Sequence, residues 1–428
     1  MLKTIAQEIQ QKGGQSFYTG GYVRDYLING NFTETNDIDI EVFHLEQEIL
    51  IKLLKKYGQV KMVGKIYPVF KIAGHPHWDF SVASYDQYND AANRRDFTVN
   101  ALMIDILTGE ILDYSGGKED ISRRVIRHMT EEVFVDDPLR AYRAAGLAAR
   151  LNFTIHPETQ KLMKMADLNK VPAERIYGEL KKLLMLSPKP SIGLRYLQET
   201  GLLEQLHPQL SRLMGCPQEP IHHPEGDVWE HTLLVTNEAA KLKGRAKNPL
   251  ALMWAALLHD IGKPGTTEER KGKITSYGHD TVGAKMAADF LQNLLCSKAL
   301  INDVTSLVRE HMHPVLLYKQ KEKVTDKAIR KLINRVDLSE LLLLSEADFM
   351  GRNVDRDYTE IRQWFLDKAA ELGLQPGQKI EPLVKGRDLQ ELGMIPGQHF
   401  KMILDKAFEM QLEGKSKDEI LQAVKADY

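Results

Sequence analysis

The sequence YTGGYVRDYLING, residues 18–30, places two glycines where a β-strand is expected to turn into a helix. Gly20 and Gly21 allow backbone N–H groups to approach an oxyanion, and the N-terminus of the helix that follows favours negative charge. Arg24, in the first turns of that helix, could close over phosphate groups. A Gly-Gly turn is a weak indication by itself, because plain tight turns have the same pattern. The segment predicts a strand, a turn and a helix, with a candidate phosphate site at the turn.

Two aspartates follow in the segment TNDIDIEVF, residues 35–43. Asp37 and Asp39 are one residue apart on an expected β-strand, so both carboxylates should project from the same face. Two like charges so close are costly unless a cation neutralises them, and Mg²⁺ is the usual cation for phosphoryl transfer. The alternative is the solvent-facing side of an alternating strand. The order of glycine turn, arginine and aspartate pair favours a triphosphate pocket with magnesium, and Asp79 is a candidate third carboxylate.

Arginine is concentrated in the segments that come next. In NRRDFTVNALMID, residues 93–105, Arg95 precedes an expected helix and could reach a triphosphate or a sugar. A further basic stretch is dense enough to contact RNA phosphates, although a solvated helix face is the alternative. Its members are Arg123, Arg124, Arg127, His128, Arg140, Arg143 and Arg150.

The composition indicates a chain with a large core and no global signal for nucleic acid. Its 428 residues favour two to four domains, and its net charge of −2 means that any RNA contact must be local. Cys216 and Cys296 alone cannot form a disulfide framework or a cysteine-based zinc site, which suits a reducing compartment. No apolar run is long enough for a membrane span, and the first residues lack the features of a secretory signal. We therefore expect a soluble, cytoplasmic protein with no membrane partner.

The hydrophobic pattern changes after residue 113. Up to that point short β-type runs alternate with helical runs, which predicts a mixed α/β domain. Beyond the turn YSGG, residues 114–117, strand signals nearly vanish and helical periodicity predicts an all-helical remainder. Breaks rich in proline or glycine at residues 187–191, 215–226 and 374–382 divide this remainder into a neck, a body and a tail.

The body contains histidines and aspartates in a pattern typical of metal ligands. The adjacent pair His259 and Asp260 lies on an otherwise apolar helix, where burial would penalise both side chains unless they were paired or bound to metal. Imidazole together with carboxylate suits Mn, Ni, Fe or Mg. Scattered core histidines are the alternative. The full candidate set is His231, His259, Asp260, His279, His311 and Asp348.

Successive segments of the first 190 residues resemble the motifs of CCA-adding tRNA nucleotidyltransferases and the related poly(A) polymerases. The segments are GGYVRD, DIDIEVF, RRDFTVNALMID, DYSGGKEDI, DDPLRAYRAAGLAARLNF and ERIYGELKKLL. The resemblance implies a polymerase-β-like head in which Asp37 and Asp39 hold catalytic Mg²⁺. It also implies triphosphate contacts at Gly21, Arg24 and Arg95.

In the neck, the same resemblance implies that Asp137, Arg140 and Arg143 read the Watson–Crick edge of the incoming base. Their spacing predicts a shared helix face, on which one acceptor and forked donors can hydrogen-bond a base. Such a site discriminates strongly, because a wrong base leaves buried polar groups unpaired. A surface ion pair on a helix is the alternative.

The body resembles phosphohydrolases of the HD superfamily, in which a set of the form H…HD…D binds one divalent ion. The residues that match this set are His231, His259, Asp260 and Asp348. The residues that match an extension for a second ion are His279 and His311. The resemblance implies a phosphohydrolase activity, with Lys263 as a candidate phosphate contact.

These observations predict an α/β nucleotidyltransferase head with a polymerase-β-like mixed sheet, followed by an all-α neck, an HD body and a helical tail. The expected bounds are residues 1–118, 119–214, 215–373 and 374–428. The leading hypothesis for function is addition of C and A to the 3' end of tRNA from CTP and ATP, with Mg²⁺ in the head and a second divalent metal in the body. No feature of the sequence indicates an oligomeric state.

Alternatives to full CCA addition stay open. Only residues 85–93 separate the strand HWDFSVAS from the RRD motif, whereas CCA-adding enzymes usually have a longer loop there and an arginine near Ser84. This departure resembles enzymes that add only the two cytidines, and it predicts slow or absent AMP addition. A poly(A) polymerase would not use CTP. From another class, the chain could be an HD phosphohydrolase whose head only binds nucleotide; two intact metal constellations disfavour a non-catalytic RNA-binding protein.

Overall fold

The computed structural model describes residues 1–32, 37–64, 68–83, 87–352, 357–375 and 377–427. They form two compact units. The first contains Met1–Glu179 and Ile192–Leu206, and the second contains Leu180–Ser191 and His207–Tyr428. The expected head and most of the expected neck therefore belong to one unit, and the body and tail belong to the other. The boundaries at residues 118, 214 and 373 stay predictions.

A seven-stranded mixed sheet forms the head, with the strand order β3-β4-β5-β2-β1-β6-β7. The strands are β1 Gln15–Thr19, β2 Ile38–Phe43, β3 Val60–Val63, β4 Val69–Ile72, β5 His75–Val82, β6 Met103–Asp105 and β7 Ile111–Leu112. Strands β2 and β5 run parallel and every other neighbouring pair is antiparallel. Buried side chains such as Ile40, Phe70 and Phe80 join the sheet to the apolar side of its helices, which fixes the strand register.

The helices of the first unit connect the strands and then continue into the neck. They are α1 Leu2–Gln11, α2 Gly20–Asn29, α3 Gln47–Leu54, α4 Tyr88–Asn93, α5 Gly117–Arg123, α6 Val133–Asp136, α7 Arg140–Leu151 and α8 Pro157–Met163. A 3₁₀ helix spans Thr98–Asn100. Helices α9 Ala173–Leu186, α10 Pro190–Glu199 and α11 Leu202–Leu206 complete the neck. The predicted order of a mixed sheet followed by helices is confirmed.

Helix α14 is the centre of the second unit. Every residue from Ala251 to Leu258 is buried, and the helix packs against α13, α16 and α19. The helices of this unit are α12 Pro208–Ser211, α13 Val228–Leu242, α14 Pro249–Leu258, α15 His279–Asn293, α16 Lys298–Glu310, α17 His313–Lys319, α18 Asp326–Arg335, α19 Leu338–Met350, α20 Thr359–Glu371, α21 Gly386–Glu391, α22 His399–Leu412 and α23 Lys417–Asp427. Three-residue 3₁₀ helices occur at Lys243–Arg245, Lys263–Gly265 and Lys321–Lys323.

Two small pairs of strands interrupt the helical remainder that the sequence predicts. Strands β8 Val125–Ile126 and β9 Thr154–Ile155 pair in the first unit, and β10 Glu268–Arg270 pairs with β11 Lys273–Thr275 in the second. Strands of two or three residues are too short to produce an alternating pattern, which explains why the sequence did not predict them. Within the described ranges, none of the helices combines the length and the apolar character that a membrane crossing requires.

Candidate active and metal sites

The glycine turn of the head joins strand β1 directly to helix α2, as the sequence predicts. Gly20 is the first residue of the helix and has φ of +67°. A Cβ at this position would lie 3.0 Å from Asp39 Oδ2. Glycine is therefore required both for the backbone conformation and for the close approach of the carboxylate to the N-terminus of α2.

Three carboxylates, Asp37, Asp39 and Asp79, lie around this turn and are called the head carboxylates below. Asp39 on β2 is paired in register with Asp79 on the parallel strand β5. Asp37 lies one residue before β2 instead of on it; its side chain is 75% exposed and its Oδ1 lies 3.0 Å from His77 Nδ1. The three side chains do not bring one oxygen each to within 4.8 Å of one another.

The electrostatics of the head carboxylates fit a divalent cation. Burial raises the pKa of Asp39; Arg95 opposes that shift, and the carboxylates of Asp79 and Asp37 add to it. The ionised form of Asp39 is therefore disfavoured until a cation compensates it. Hard oxygen ligands of this kind are those that Mg²⁺ prefers.

Two basic side chains, Lys71 and Arg95, contact the head carboxylates or residues next to them. Lys71 Nζ lies 2.5 Å from Asp79 Oδ1, a contact that the sequence analysis missed because the two residues meet only through the pairing of β4 with β5. Arg95 Nη2 donates to Glu41 Oε2 at 2.6 Å and to Thr19 Oγ1 at 3.1 Å. Arg95 therefore lies beside the glycine turn, as expected.

Arg24 is buried beside the glycine turn. The residue is 3% exposed, and its guanidinium donates to Asp25 Oδ1 at 2.6 and 2.8 Å and to Asn100 Oδ1 at 2.6 Å. These bonds hold α2 against the 3₁₀ helix of the RRD segment. In this conformation the Arg24 guanidinium does not face the phosphate site, because closing over phosphate would leave its partly buried polar partners unpaired.

The neck residues Asp137, Arg140 and Arg143 do not share one helix face, contrary to the sequence prediction. Asp137 lies before α7 in an extended conformation, with φ of −147° and ψ of 97°. Pro138 explains this difference, because a proline disfavours the helical conformation of the residue that precedes it. Arg140 and Arg143 are in the first turn of α7.

The three neck side chains have separate partners. Arg175 Nη2 donates to Asp137 Oδ2 at 2.8 Å. Arg140 donates to the carbonyl oxygens of Val133 and Arg94, at 3.3 and 3.2 Å, and Arg143 Nη1 donates to Asp96 Oδ2 at 3.1 Å. Arg140 and Arg143 therefore both bind the segment that contains the RRD motif, which places base-reading candidates beside triphosphate-binding candidates.

In the second unit, six side chains predicted to bind metal converge, and we call them the HD cluster: His231, His259, Asp260, His279, His311 and Asp348. All six side chains are at most 10% exposed. His259 and Asp260 follow the end of α14, and Gly262 allows the backbone there to pack closely on α15. A Cβ on Gly262 would lie 2.3 Å from the carbonyl oxygen of His279, so this packing requires glycine.

The four histidines of the HD cluster are oriented in the same manner. His259, His279 and His311 each place Nδ1 against a backbone carbonyl oxygen, at 2.9, 2.7 and 2.6 Å. His231 places Nδ1 2.7 Å from Glu225 Oε1. An Nδ1–H that donates to an oxygen leaves Nε2 with a lone pair, which is the form of imidazole that binds metal.

The Nε2 atoms then meet carboxylates and one another. His231, His259 and Asp348 form one set, and Asp260, His279 and His311 form another, each with ligand atoms within 4.8 Å. Asp260 faces both sets: its Oδ2 lies 3.1 Å from His259 Nε2, and its Oδ1 lies 3.4 Å from His279 Nε2. The 3.3 Å between the Nε2 atoms of His279 and His311 would oppose two lone pairs unless a cation lay between them. The donor set therefore fits one or two divalent ions.

Two basic side chains lie against the carboxylates of the HD cluster. Lys263 Nζ lies 2.7 Å from Asp260 Oδ2 and donates to Gln218 Oε1 at 2.6 Å. Arg352 donates to both oxygens of Asp348 at 3.0 and 3.1 Å. Burial would raise the pKa of Asp348, but Arg352 and His231 lower it well below its ordinary value. Both carboxylates are thus held ionised, as metal ligands must be.

A cavity of about 430 Å³ opens onto the HD cluster. Its wall includes Asp260, His279 and Asp348 from the cluster, the cations Lys263 and Arg352, and apolar side chains such as Ile274 and Leu316. The sequence analysis missed Arg352, His223 and Glu225. The sequence offered two signals: Arg352 lies four residues after Asp348, and His223 and Glu225 lie shortly before His231.

Three family models match parts of the chain in both units. The family model "Poly A polymerase head domain" matches residues 75–127, "Probable RNA and SrmB- binding site of polymerase A" matches 152–214, and "HD domain" matches 228–348. The multifunctional CCA protein of Actinobacillus pleuropneumoniae serotype 5b (strain L20) is 35% identical over 400 residues, covering 84% of this chain and 92% of the relative.

Solved structures show the same fold. The Bacillus stearothermophilus CCA-adding enzyme in complex with CTP has a TM-score of 0.67 at 22% identity, covering 98% of this chain and 95% of that one. The Thermotoga maritima CCA-adding enzyme complexed with tRNA_CCA has a TM-score of 0.62 at 21% identity, covering 99% and 94%. The predicted fold class, a nucleotidyltransferase head followed by helical and HD regions, is thereby confirmed. By its likeness to the multifunctional CCA proteins over most of both lengths, this chain belongs to their family and is a nucleotidyltransferase.

Proposed function

We propose that the first unit adds C and A to the 3' end of tRNA, using CTP and ATP in the cytoplasm. The observation that carries the proposal is the position of Asp39, which lies beside Asp79 and against the glycine turn at the start of α2. A carboxylate pair next to a helix N-terminus can hold both the cation and the triphosphate of one nucleotide. The names of the relatives, and the CTP and tRNA in the two solved neighbours, support this choice of substrates.

The residues of the head would have separate roles in binding the metal and the triphosphate. Asp37 and Asp39 would hold Mg²⁺, with Asp79 beside them, and the ion supplies charge neutralisation at the triphosphate. The backbone of Gly20 and Gly21 would contact phosphate oxygens, and Arg95 would contact the triphosphate from the opposite side of the turn. The 3'-hydroxyl oxygen of the RNA attacks the α-phosphorus and its proton is lost to solvent. The new P–O bond replaces the bond from the α-phosphorus to the bridging oxygen, and pyrophosphate leaves with that oxygen.

Base selection in this proposal belongs to Asp137, Arg140 and Arg143. The two arginines already bind the RRD segment, so a base that pairs with them would be held at a fixed distance from Arg95. Asp137, which lies just before α7, would supply the acceptor for the base. The role of Arg24 is positional, since it supports the turn from the buried side.

Incubation of tRNA transcripts that end before CC, after C and after CC with each labelled nucleotide tests the proposal. We expect CMP on the first two and AMP on the third. Addition of AMP to every transcript without CMP would identify a poly(A) polymerase, and no addition to any of them would refute the assignment.

Addition of only two cytidines is a second candidate, because the segment before the RRD motif is short. Residues 84–86 lie outside the described residues, and from Tyr88 to Asn93 the segment forms helix α4, in which Ala91 and Ala92 are buried. A packed helix leaves little chain for a switching loop. Normal CMP addition with slow or absent AMP addition would establish this candidate and leave the nucleotidyltransferase assignment intact.

For the second unit we propose a phosphohydrolase that depends on a divalent metal. The HD cluster would hold the metal, which supplies Lewis-acid polarisation of a phosphoester. Lys263 and Arg352 on the cavity wall would compensate the charge of the phosphate. Purified protein that binds no transition metal and hydrolyses no phosphoester with Mn²⁺, Ni²⁺, Co²⁺ or Mg²⁺ would refute this proposal.

A further inference from the structure

Glu225 lies between two histidines just before α13. Its Oε1 accepts from His231 Nδ1 at 2.7 Å and from His223 Nδ1 at 2.8 Å. The carboxylate is 1% exposed, and its other oxygen, Oε2, is buried without a hydrogen-bond partner among the described residues. One carboxylate oxygen therefore orients two imidazole rings.

The two imidazoles have different surroundings. His231 belongs to the HD cluster, and its Nε2 lies 3.1 Å from Asp348 Oδ1. His223 is outside the cluster and lines the cavity that opens onto it. Because the Nδ1 of His223 faces Glu225, Nε2 is the ring atom that remains for a molecule in the cavity.

The loop that contains Glu225 is held at both of its ends. Asp227 caps α13 by accepting from the backbone N–H of Glu230 at 2.9 Å, and its second oxygen accepts from the N–H of Gly215 at 2.6 Å. His231 is the only histidine of the HD cluster whose Nδ1 meets a carboxylate, whereas the other three meet backbone carbonyls. A carboxylate raises the basicity of an imidazole ligand more than a carbonyl oxygen does.

We propose that Glu225 is a positioning residue shared by two imidazoles: it orients His231 toward the metal and His223 toward the phosphoester in the cavity. The inference rests on the proposed phosphohydrolase. Glu225 sets the tautomer of His231, so that Nε2 is the ligand atom. It sets the same tautomer in His223, whose Nε2 then accepts a hydrogen bond from a hydroxyl or amine of the bound phosphoester.

Metal affinity and hydrolysis separate the two roles. Metal-free protein is titrated with Mn²⁺. Hydrolysis is measured at saturating Mn²⁺ with AMP and the dinucleotide ApA, a monoester and a diester whose hydroxyl and amine groups can donate to His223. Glu225→Gln should raise the Mn²⁺ dissociation constant about 10–100-fold, the range typical of a lost outer-sphere carboxylate. His223→Leu should leave Mn²⁺ affinity unchanged and lower kcat/KM by about 10-fold or more, as expected when a bound phosphoester loses one hydrogen bond. Ile221→Ala, at an exposed position on the same loop that does not line the cavity, is the matched control and should change neither.

The double variant tests whether the two roles share one carboxylate. At saturating Mn²⁺, Glu225→Gln should hydrolyse as slowly as His223→Leu, and the combination should be no slower than either one. If Glu225→Gln does not fold, Glu225→Asp, which shortens the reach to both rings, replaces it.

Unchanged Mn²⁺ affinity in the Glu225 variants would overturn the proposal. An equal loss of affinity in His223→Leu would also overturn it, because His223 would then be a ligand. Mn²⁺ binding without hydrolysis by the wild type refutes the phosphohydrolase, whereas the affinity comparison still tests Glu225.

Discussion

The head carboxylates and the HD cluster are both suited to divalent metal, yet they are built differently. In the head, Asp37 is largely exposed, and the three carboxylates do not bring one oxygen each to within 4.8 Å of one another. In the HD cluster, six buried side chains already converge, and the tautomer of each histidine is set by an oxygen at its Nδ1. An open, unassembled site suits ions that arrive with a nucleotide, whereas a closed, assembled site suits an ion that stays with the protein.

This comparison predicts opposite consequences for stability. Ionised Asp39 is disfavoured by burial and by neighbouring carboxylates, so its removal should not destabilise the head. The buried imidazoles and carboxylates of the HD cluster compensate one another's charges. A metal bound there also stabilises the folded state by its binding free energy.

The largest effect is expected from Asp39→Ala or Asp37→Ala. Either change should lower nucleotide addition by about 10³-fold or more, because several kcal/mol of charge stabilisation would be lost. The free energy of unfolding should change by less than about 1 kcal/mol, as for substitutions outside a packed core. Single-turnover addition of CMP and urea denaturation measure the two quantities, with exposed Asp90→Ala as the control. Near-normal addition by both variants would end the polymerase assignment.

His259→Ala should have the complementary effect in the second unit. We expect loss of metal binding and of metal-dependent phosphoester hydrolysis. Nucleotide addition should stay within about 2-fold of the wild-type rate, because sites without shared partners act independently. His313→Ala, a half-exposed histidine outside the HD cluster, should leave both activities unchanged. A comparable fall in nucleotide addition in His259→Ala would show that the two sites are coupled.

A smaller effect is expected from Arg140→Ala in the neck. Discrimination of CTP and ATP against UTP and GTP should fall by about 10-fold, since one hydrogen-bonding partner of the base is lost. The affinity for tRNA should change less than the discrimination does. Competition between labelled nucleotides and a filter-binding titration measure the two, with Arg309→Ala, an exposed arginine outside the basic stretch, as the control. Unchanged discrimination with weaker tRNA binding would assign Arg140 to phosphate contact.

The sequence predicted what depends on local chemistry. The turn at Gly20 and the strand that bears Asp39 follow from glycine and periodicity, and the six members of the HD cluster follow from residue type and an apolar helix. Asp137 was wrongly placed on a helix face, although Pro138 was visible beside it. That error came from reading spacing without the backbone restriction of proline.

Contacts between distant segments could not be predicted. Arg24 is buried because Asn100, 76 residues later, accepts from its guanidinium. Lys71 reaches Asp79 only through the pairing of β4 with β5. The role of Glu225 depends on a loop conformation that brings two histidines, eight residues apart, to one carboxylate oxygen. Such partners are determined by tertiary packing, which periodicity does not report.

The metal content of the purified protein tests the central contrast between the two sites most directly. The wild type, Asp39→Ala and His259→Ala would be dialysed without chelator into buffer that contains only Mg²⁺, and transition metals would be counted per chain. We predict at least one transition-metal ion in the wild type and in Asp39→Ala, none in His259→Ala, and full nucleotide addition by the wild type with Mg²⁺ alone. A wild type free of transition metal, or one that loses metal through Asp39→Ala, would contradict the account.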